Sequence, residues 1–200
     1  MILSLTLACL APKNAPISEA PVQNLTETIV TETREENIDL TGDGVSDVTN
    51  VLESGLVIQK IDLNGDRTAD IINHYKVRDD GSRILIYKTV DMNWDTKPDV
   101  FTWFDMTGDI TKEAMDGDFD GIAEWVDHYK KNILVYSEID TNFDGTYDLY
   151  RYYEHEKIKR KEYDTDGNGK VDYWQYFDDE GKIQKIGKDT DGDGEIDTRE

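Results

Sequence analysis

The chain has 200 residues and a mass of 22.9 kDa, and its 22 Lys and Arg stand against 44 Asp and Glu for a formal charge of −22. That sign excludes binding to DNA or RNA backbones, which requires a basic surface. Only 37% of residues are hydrophobic, but 11 Tyr, 5 Phe and 4 Trp argue against disorder and for a fold whose acids are neutralised by something cationic.

The one apolar run, residues 2–10, is far short of the roughly 18 residues that a membrane-spanning helix needs. The opening MILSLTLACLAP nevertheless resembles the end of a bacterial secretory signal, with Ala8-Cys9 placed like a lipoprotein junction. Residues 1–11 are therefore read as a signal-like segment. Cys9, the only cysteine, would carry lipid and anchor the mature chain to a membrane, with ordinary signal cleavage nearby as the alternative. Either way the protein is expected outside the cytoplasm, as an anchored or secreted protein of a bacterial cell envelope. Residues 12–37 hold three of the four prolines, Pro12, Pro16 and Pro21, in a Thr/Glu mixture without periodicity, and read as a flexible tether.

From residue 38 to residue 200 one phrase recurs, starting at Asp39, Asp62, Asp91, Asp116, Asp140, Asp164 and Asp189. The separations are 23, 29, 25, 24, 24 and 25 residues, with the long one explained by an insertion near residues 78–82. Each phrase precedes a segment of high β propensity (VTNVL, IINHY, VFTWF, WVDHY, LYRYY, YWQYF), a short polar turn and a second run such as LVIQKI, RILIYKTV, ILVYSEI or KIKRKEY. One repeat is thus a hairpin. The fold class expected is all-β: tandem hairpin repeats of about 24 residues forming a twisted antiparallel meander of about twelve strands. All seven loops would then lie along one edge, about 10 Å apart. Counting from the loop start, position 13 (Val51, His74, Trp103, His128, Tyr152, Tyr176) and position 14 (Leu52, Tyr75, Phe104, Tyr129, Tyr153, Phe177) place large side chains on both faces. A flat sheet would leave one of these ladders in water, so the sheet is expected to coil or fold over until the ladders meet.

Every loop carries an oxygen-bearing side chain at positions 1, 3, 5 and 9. In chain order these are Asp39, Thr41, Asp43 and Asp47; Asp62, Asn64, Asp66 and Asp70; Asp91, Asn93, Asp95 and Asp99; Asp116, Asp118, Asp120 and Glu124. They continue with Asp140, Asn142, Asp144 and Asp148; Asp164, Asp166, Asn168 and Asp172; and Asp189, Asp191, Asp193 and Asp197. Oxygens spaced i, i+2, i+4 on a tight loop converge as a hard divalent cation such as Ca²⁺ requires, and the backbone carbonyl at position 7 is the expected further ligand. The residues there are Val45, Thr68, Lys97, Ile122, Thr146, Lys170 and Glu195. Five loops also place the turn glycine at position 6, while Arg67 and Thr96 replace it in the second and third. The alternative reading of every copy is an Asp/Asn/Gly-rich turn without an ion.

These loops resemble the DxDxDG calcium loops of EF-hands, dockerins and thrombospondin type 3 repeats. The likeness extends to position 12 in the last copy, where Glu200 stands in the place of the terminal bidentate glutamate. Elsewhere position 12 falls on a strand, about 10 Å past position 9, and cannot fold back to the ion. Sites of five protein ligands plus water imply affinities on the order of 10⁻⁴–10⁻³ M, as in extracellular modules. The loop positions hold just over half of the 44 carboxylates, and seven Ca²⁺ ions would bring the formal charge from −22 to about −8. Calcium is accordingly expected to be structural.

No phosphate-binding glycine loop, Cys/His zinc cluster or nucleophile elbow occurs, and no acid pair is marked out from the rest, so no enzyme is expected. His74 and His128 share a repeat position two repeats apart and read as members of an aromatic ladder rather than metal ligands. The function expected is a calcium-binding surface spacer or interaction module with a protein or glycan partner. The alternative is a carbohydrate-binding or adhesive module using the aromatic ladders, Trp103 and Trp125 among them.

Overall fold

A computed structural model describes residues 33–200, so Cys9, the signal-like segment and most of the tether lie outside the described residues. The first half of the sheet comprises β1 (Arg34–Ile38), β2 (Val48–Glu53), β3 (Leu56–Ile61), β4 (Ile71–Val77), β5 (Arg83–Val90), β6 (Val100–Phe104) and β7 (Ile110–Met115). The second comprises β8 (Trp125–Lys130), β9 (Ile133–Ile139), β10 (Leu149–Glu154), β11 (Lys157–Tyr163), β12 (Tyr173–Phe177), β13 (Ile183–Lys188) and β14 (Thr198–Arg199). Their order in space is their order in sequence, a single open antiparallel meander, and the segments read as strands from their β-branched and aromatic content are strands. Two more strands are present than six hairpins supply. β14 closes the seventh loop, and β1 pairs Arg34–Ile38 with β2, so the sheet begins four residues before residue 38.

Turns alternate between the two ends of the strands. At one end lie Ser54-Gly55, Lys131-Asn132 and His155-Glu156, each pair with positive φ as the tightest hairpins require, together with five-residue turns at 78–82, 105–109 and 178–182. The first of these, which Arg78 and Ser82 close through the backbone, is no longer than the other two, so the additional residues of the long repeat fall in β4 and β5, of 7 and 8 residues against 5 and 6 in β6 and β7. All seven Asp-rich loops lie at the opposite end.

Strand alternation puts positions 11 and 13 on one face and positions 10, 12 and 14 on the other. The ladders therefore stay on opposite faces of an open sheet and do not meet by fold-over. The position 13 ladder is completed within its own face. Register pairing aligns His74, Tyr87 and Trp103 across β4, β5 and β6, and His128, Tyr136 and Tyr152 across β8, β9 and β10, with ring centroids 4.8–5.4 Å apart. Where the partner strand lacks a ring it supplies a cation: Lys112 over Trp103, Arg160 over Tyr152 and Lys185 over Tyr176. Tyr87, Phe101, Ala114, Val126 and Tyr150 form the buried core of this face, joined by Ala123 and Tyr147 from loop position 8.

On the other face position 12 and its partners form a polar row, Asn50, Gln59, Asn73, Lys88, Thr102, Glu113, Asp127, Ser137, Arg151, Lys161 and Gln175. Asn50, Asn73, Thr102 and Ser137 in it are buried, and their polar atoms find partners along the row. Gln59 donates to Asn50 and accepts from Asn73, both at 3.1 Å, and the Ser137 hydroxyl and Trp125 indole both donate to Asp127 Oδ1. A β-bulge recurs between positions 13 and 14 in five hairpins, at His74/Tyr75, Trp103/Phe104, His128/Tyr129, Tyr152/Tyr153 and Tyr176/Phe177. An extra residue at the same place in each hairpin adds right-handed twist at regular intervals.

Candidate metal loops

The seven loops share one backbone. The position 1 carboxylate accepts the position 4 N–H at 2.6–2.8 Å on Oδ1 and the position 6 N–H at 2.6–2.9 Å on Oδ2 in every copy. The position 9 carboxylate accepts the position 2 N–H at 2.5–3.1 Å, and the position 5 side-chain oxygen accepts the position 7 N–H at 2.7–2.9 Å. Such bonds turn the loop inward and hold its acids in place. They require left-handed backbone at positions 4 and 6. Arg67 (φ 74°) and Thr96 (φ 79°) adopt it where the other loops use glycine, so the second and third loops keep the common shape despite their sequence.

The loops are also joined to one another. Each position 1 N–H donates to the position 9 carbonyl of the preceding loop at 2.8–2.9 Å, from Asp62 on Asp47 through to Asp189 on Asp172. One uninterrupted row results, as expected from the repeat. Side chains add to it: Ile122 packs against Gly145 of the next loop, and Lys170 Nζ donates to the Gly192 carbonyl at 2.8 Å.

In three loops the carboxylate oxygens converge to within 4.8 Å of one another: Asp116, Asp118, Asp120 and Glu124; Asp164, Asp166 and Asp172; and Asp189, Asp191 and Asp197. Among the described residues no Lys, Arg or His forms an ion pair with any of these groups. The other four loops each have Asn or Thr at position 3, which leaves them one carboxylate fewer than the fourth and seventh. Asp193 stands outside the convergent group of the seventh loop, and the Glu200 carboxylate there pairs with Lys188 Nζ at 3.1 Å.

Burial divides the acids into two kinds. Asp39, Asp189 and Asp197 are held below the ordinary carboxylate range chiefly by backbone N–H groups of Gly44, Gly194 and Thr190 respectively. Asp99, Glu124 and Asp164 are pushed up, first by burial, and Glu124 additionally by the charges of Asp118 and Asp116. Asp99 is 1% exposed, and Asp116, Asp140 and Asp70 are also buried. Hard oxygen donors gathered without a positive side chain are the donor set that a hard dication fits.

The polar row at position 12 is the component that sequence reading did not anticipate. Its signal was present in Asn50, Asn73, Thr102, Asp127, Arg151 and Gln175, polar residues recurring between apolar positions 10 and 14. His74 and His128 stack on Tyr87 and Tyr136, and His128 Nε2 lies 3.7 Å from Glu138.

No family model matches the chain, and no curated protein matches it. Among solved structures, part of the chain is similar to the accessory secretory protein 1, 2 and 3 structure from Streptococcus pneumoniae, with a TM-score of 0.33 and 13% identity. The match covers 58% of this chain and 19% of that one, so the chain spans about a fifth of that structure's length. Among the described residues no helix is long and apolar enough to cross a membrane.

Proposed function

We infer that the protein is a non-enzymatic, calcium-binding repeat protein that works outside the cytoplasm as a surface spacer or interaction module, with calcium holding its loop row together. The observation that carries this reading is the fourth loop. Asp116 and Glu124 are buried there beside Asp118 and Asp120, four carboxylates within 4.8 Å with no positive side chain among them. The buried Asp116–Glu124 pair at that separation repels by about 3.5 kcal/mol at an effective dielectric of 20, a cost that a bound dication reverses. Side-chain oxygens, a position 7 carbonyl and water make a set suited to Ca²⁺ rather than to softer metals. Millimolar-range affinity suits a protein exported past Cys9 into a calcium-rich medium and leaves the ion unsuited to cytosolic signalling.

The ring ladders of the strands pack on one another and on Lys112, Arg160 and Lys185, which supports a structural role for them. Elemental analysis before and after chelation, with thermal melts of the same samples, tests the reading. Calcium in molar excess over protein and a melting temperature that falls steeply on chelation are expected. An unchanged melt refutes the structural role, and metal-free protein after equilibration in millimolar CaCl₂ refutes the site.

A further inference from the structure

Position 4 of the loops distinguishes three consecutive copies. The first two and last two loops have glycine there, which the left-handed backbone favours, but the third, fourth and fifth have Trp94 (φ 64°), Phe119 (φ 67°) and Phe143 (φ 62°). A large ring at such a φ is strained, and glycine in the sister loops shows that the loop does not need it. Burial does not compensate. Trp94 is 61% exposed, Phe119 41% and Phe143 56%, and no ring–ring contact involves them among the described residues. Strain without packing is what a binding surface leaves behind in the free protein.

The three rings occupy equivalent places on equivalent loops, two strands apart, hence about 10 Å from one to the next. Strand twist of about 20–25° per step turns each successive loop by about 45°, so the rings follow a winding line rather than a plane. A line of flat apolar platforms at regular intervals fits a linear polymer of rings. Single-stranded nucleic acid is such a polymer, but a formal charge of −22 and the carboxylates of the same three loops repel it. A membrane is planar and would touch the twisted row only in part.

The geometry points to the Trp94, Phe119 and Phe143 edge as a binding site for a neutral, unbranched polysaccharide, whose sugar faces stack on successive loop rings. This deepens the interaction-module reading and rests on it for the rigidity of the row, while the rings themselves belong to no metal site. The test is retention on microcrystalline cellulose and chitin, and affinity electrophoresis in soluble β-glucan, in 2 mM CaCl₂ (about the upper end of the extracellular affinity range). The triple variant Trp94→Gly, Phe119→Gly, Phe143→Gly restores the glycine of the sister loops and is expected to keep the melting temperature or raise it. It is also expected to lose retention at least about tenfold, and each single variant several-fold. Leu63→Thr, on the same edge but without a ring, is expected to change nothing. Absence of retention on every neutral polysaccharide overturns the inference, as does equal retention of the triple variant. Cosedimentation of wild type with phosphatidylcholine/phosphatidylserine vesicles, lost in the triple variant, assigns the row to lipid and overturns it too. Failure of calcium binding shows in the melts of both proteins and is thereby separated from failure of the rings.

Discussion

Glu124→Gln should raise the melting temperature, and by more in chelator than in calcium. In metal-free protein at neutral pH the ionised Glu124 is buried within 4.8 Å of buried Asp116 and of the exposed Asp118 and Asp120. The Asp116 pair repels by about 3.5 kcal/mol at an effective dielectric of 20, and each exposed pair by about 0.9 kcal/mol at the dielectric of water. Glutamine keeps an oxygen to accept the Gly117 N–H but makes a weaker bond than a carboxylate, returning about 1 kcal/mol. A net gain of about 4 kcal/mol follows, or about 8–16 °C in a domain of this size. Because burial raises the carboxyl above its unfolded value, that gain is full at pH above the raised value and vanishes below about pH 4, where the acid is neutral in both states. In millimolar calcium the variant lacks one of four carboxylate ligands and its advantage over wild type should shrink, since a tenfold weaker site forfeits up to about 1.4 kcal/mol of linked stability. Differential scanning calorimetry of both proteins in chelator and in CaCl₂, at pH 4 and 7, reads all four conditions. A variant that melts lower in chelator at pH 7, or whose advantage is as large in calcium as in chelator, would show that the fourth loop is not an ion site held against its own repulsion.

Two further perturbations test the sheet itself. At Gly187 an added Cβ would lie 2.9 Å from Ile196 Cδ1, so Gly187→Ala should cost about 1–3 kcal/mol and lower the melting temperature by about 2–12 °C; an unshifted melt would mean that the seventh loop does not press on β13. Tyr152 is pushed up to about 12 by burial and by Glu162, whose carboxylate accepts its hydroxyl at 2.9 Å. Folding therefore favours the protonated phenol, so stability is unaffected by this group below about pH 10 and falls as pH rises from there towards the raised value. Urea unfolding between pH 8 and 11.5 should show a shallower alkaline decline for Tyr152→Phe than for wild type, and equal slopes would contradict the burial of the hydroxyl.

Much of the molecule is legible in its amino-acid sequence because the determinants are local. Asp and Gly at fixed offsets bend the chain within nine residues, and β-branched and aromatic runs between them have few alternatives to a strand, so loops, hairpins and their row on one edge follow from residues close in sequence. The shared loop shape at Arg67 and Thr96 is not legible there, because their own preferences oppose positive φ and only the N–H groups converging on Asp62 and Asp91 impose it.

Other features depend on which residues lie opposite one another. Asn50, Gln59 and Asn73 become a hydrogen-bonded row only when β2, β3 and β4 are in register, and a slip of one residue would send all three to the other face. The ladder of position 13 did not need to meet that of position 14, since cross-strand rings and cations cover it in place. Pairing gave β1 its role, for Arg34–Ile38 has little strand character until Val48–Leu52 lies alongside. Trp94, Phe119 and Phe143 are apolar by composition, and solvent exposure on a strained backbone is a property that the assembled loop row alone confers. Local chemistry thus determined what each repeat is, and long-range pairing decided which side chains it hides and which it presents.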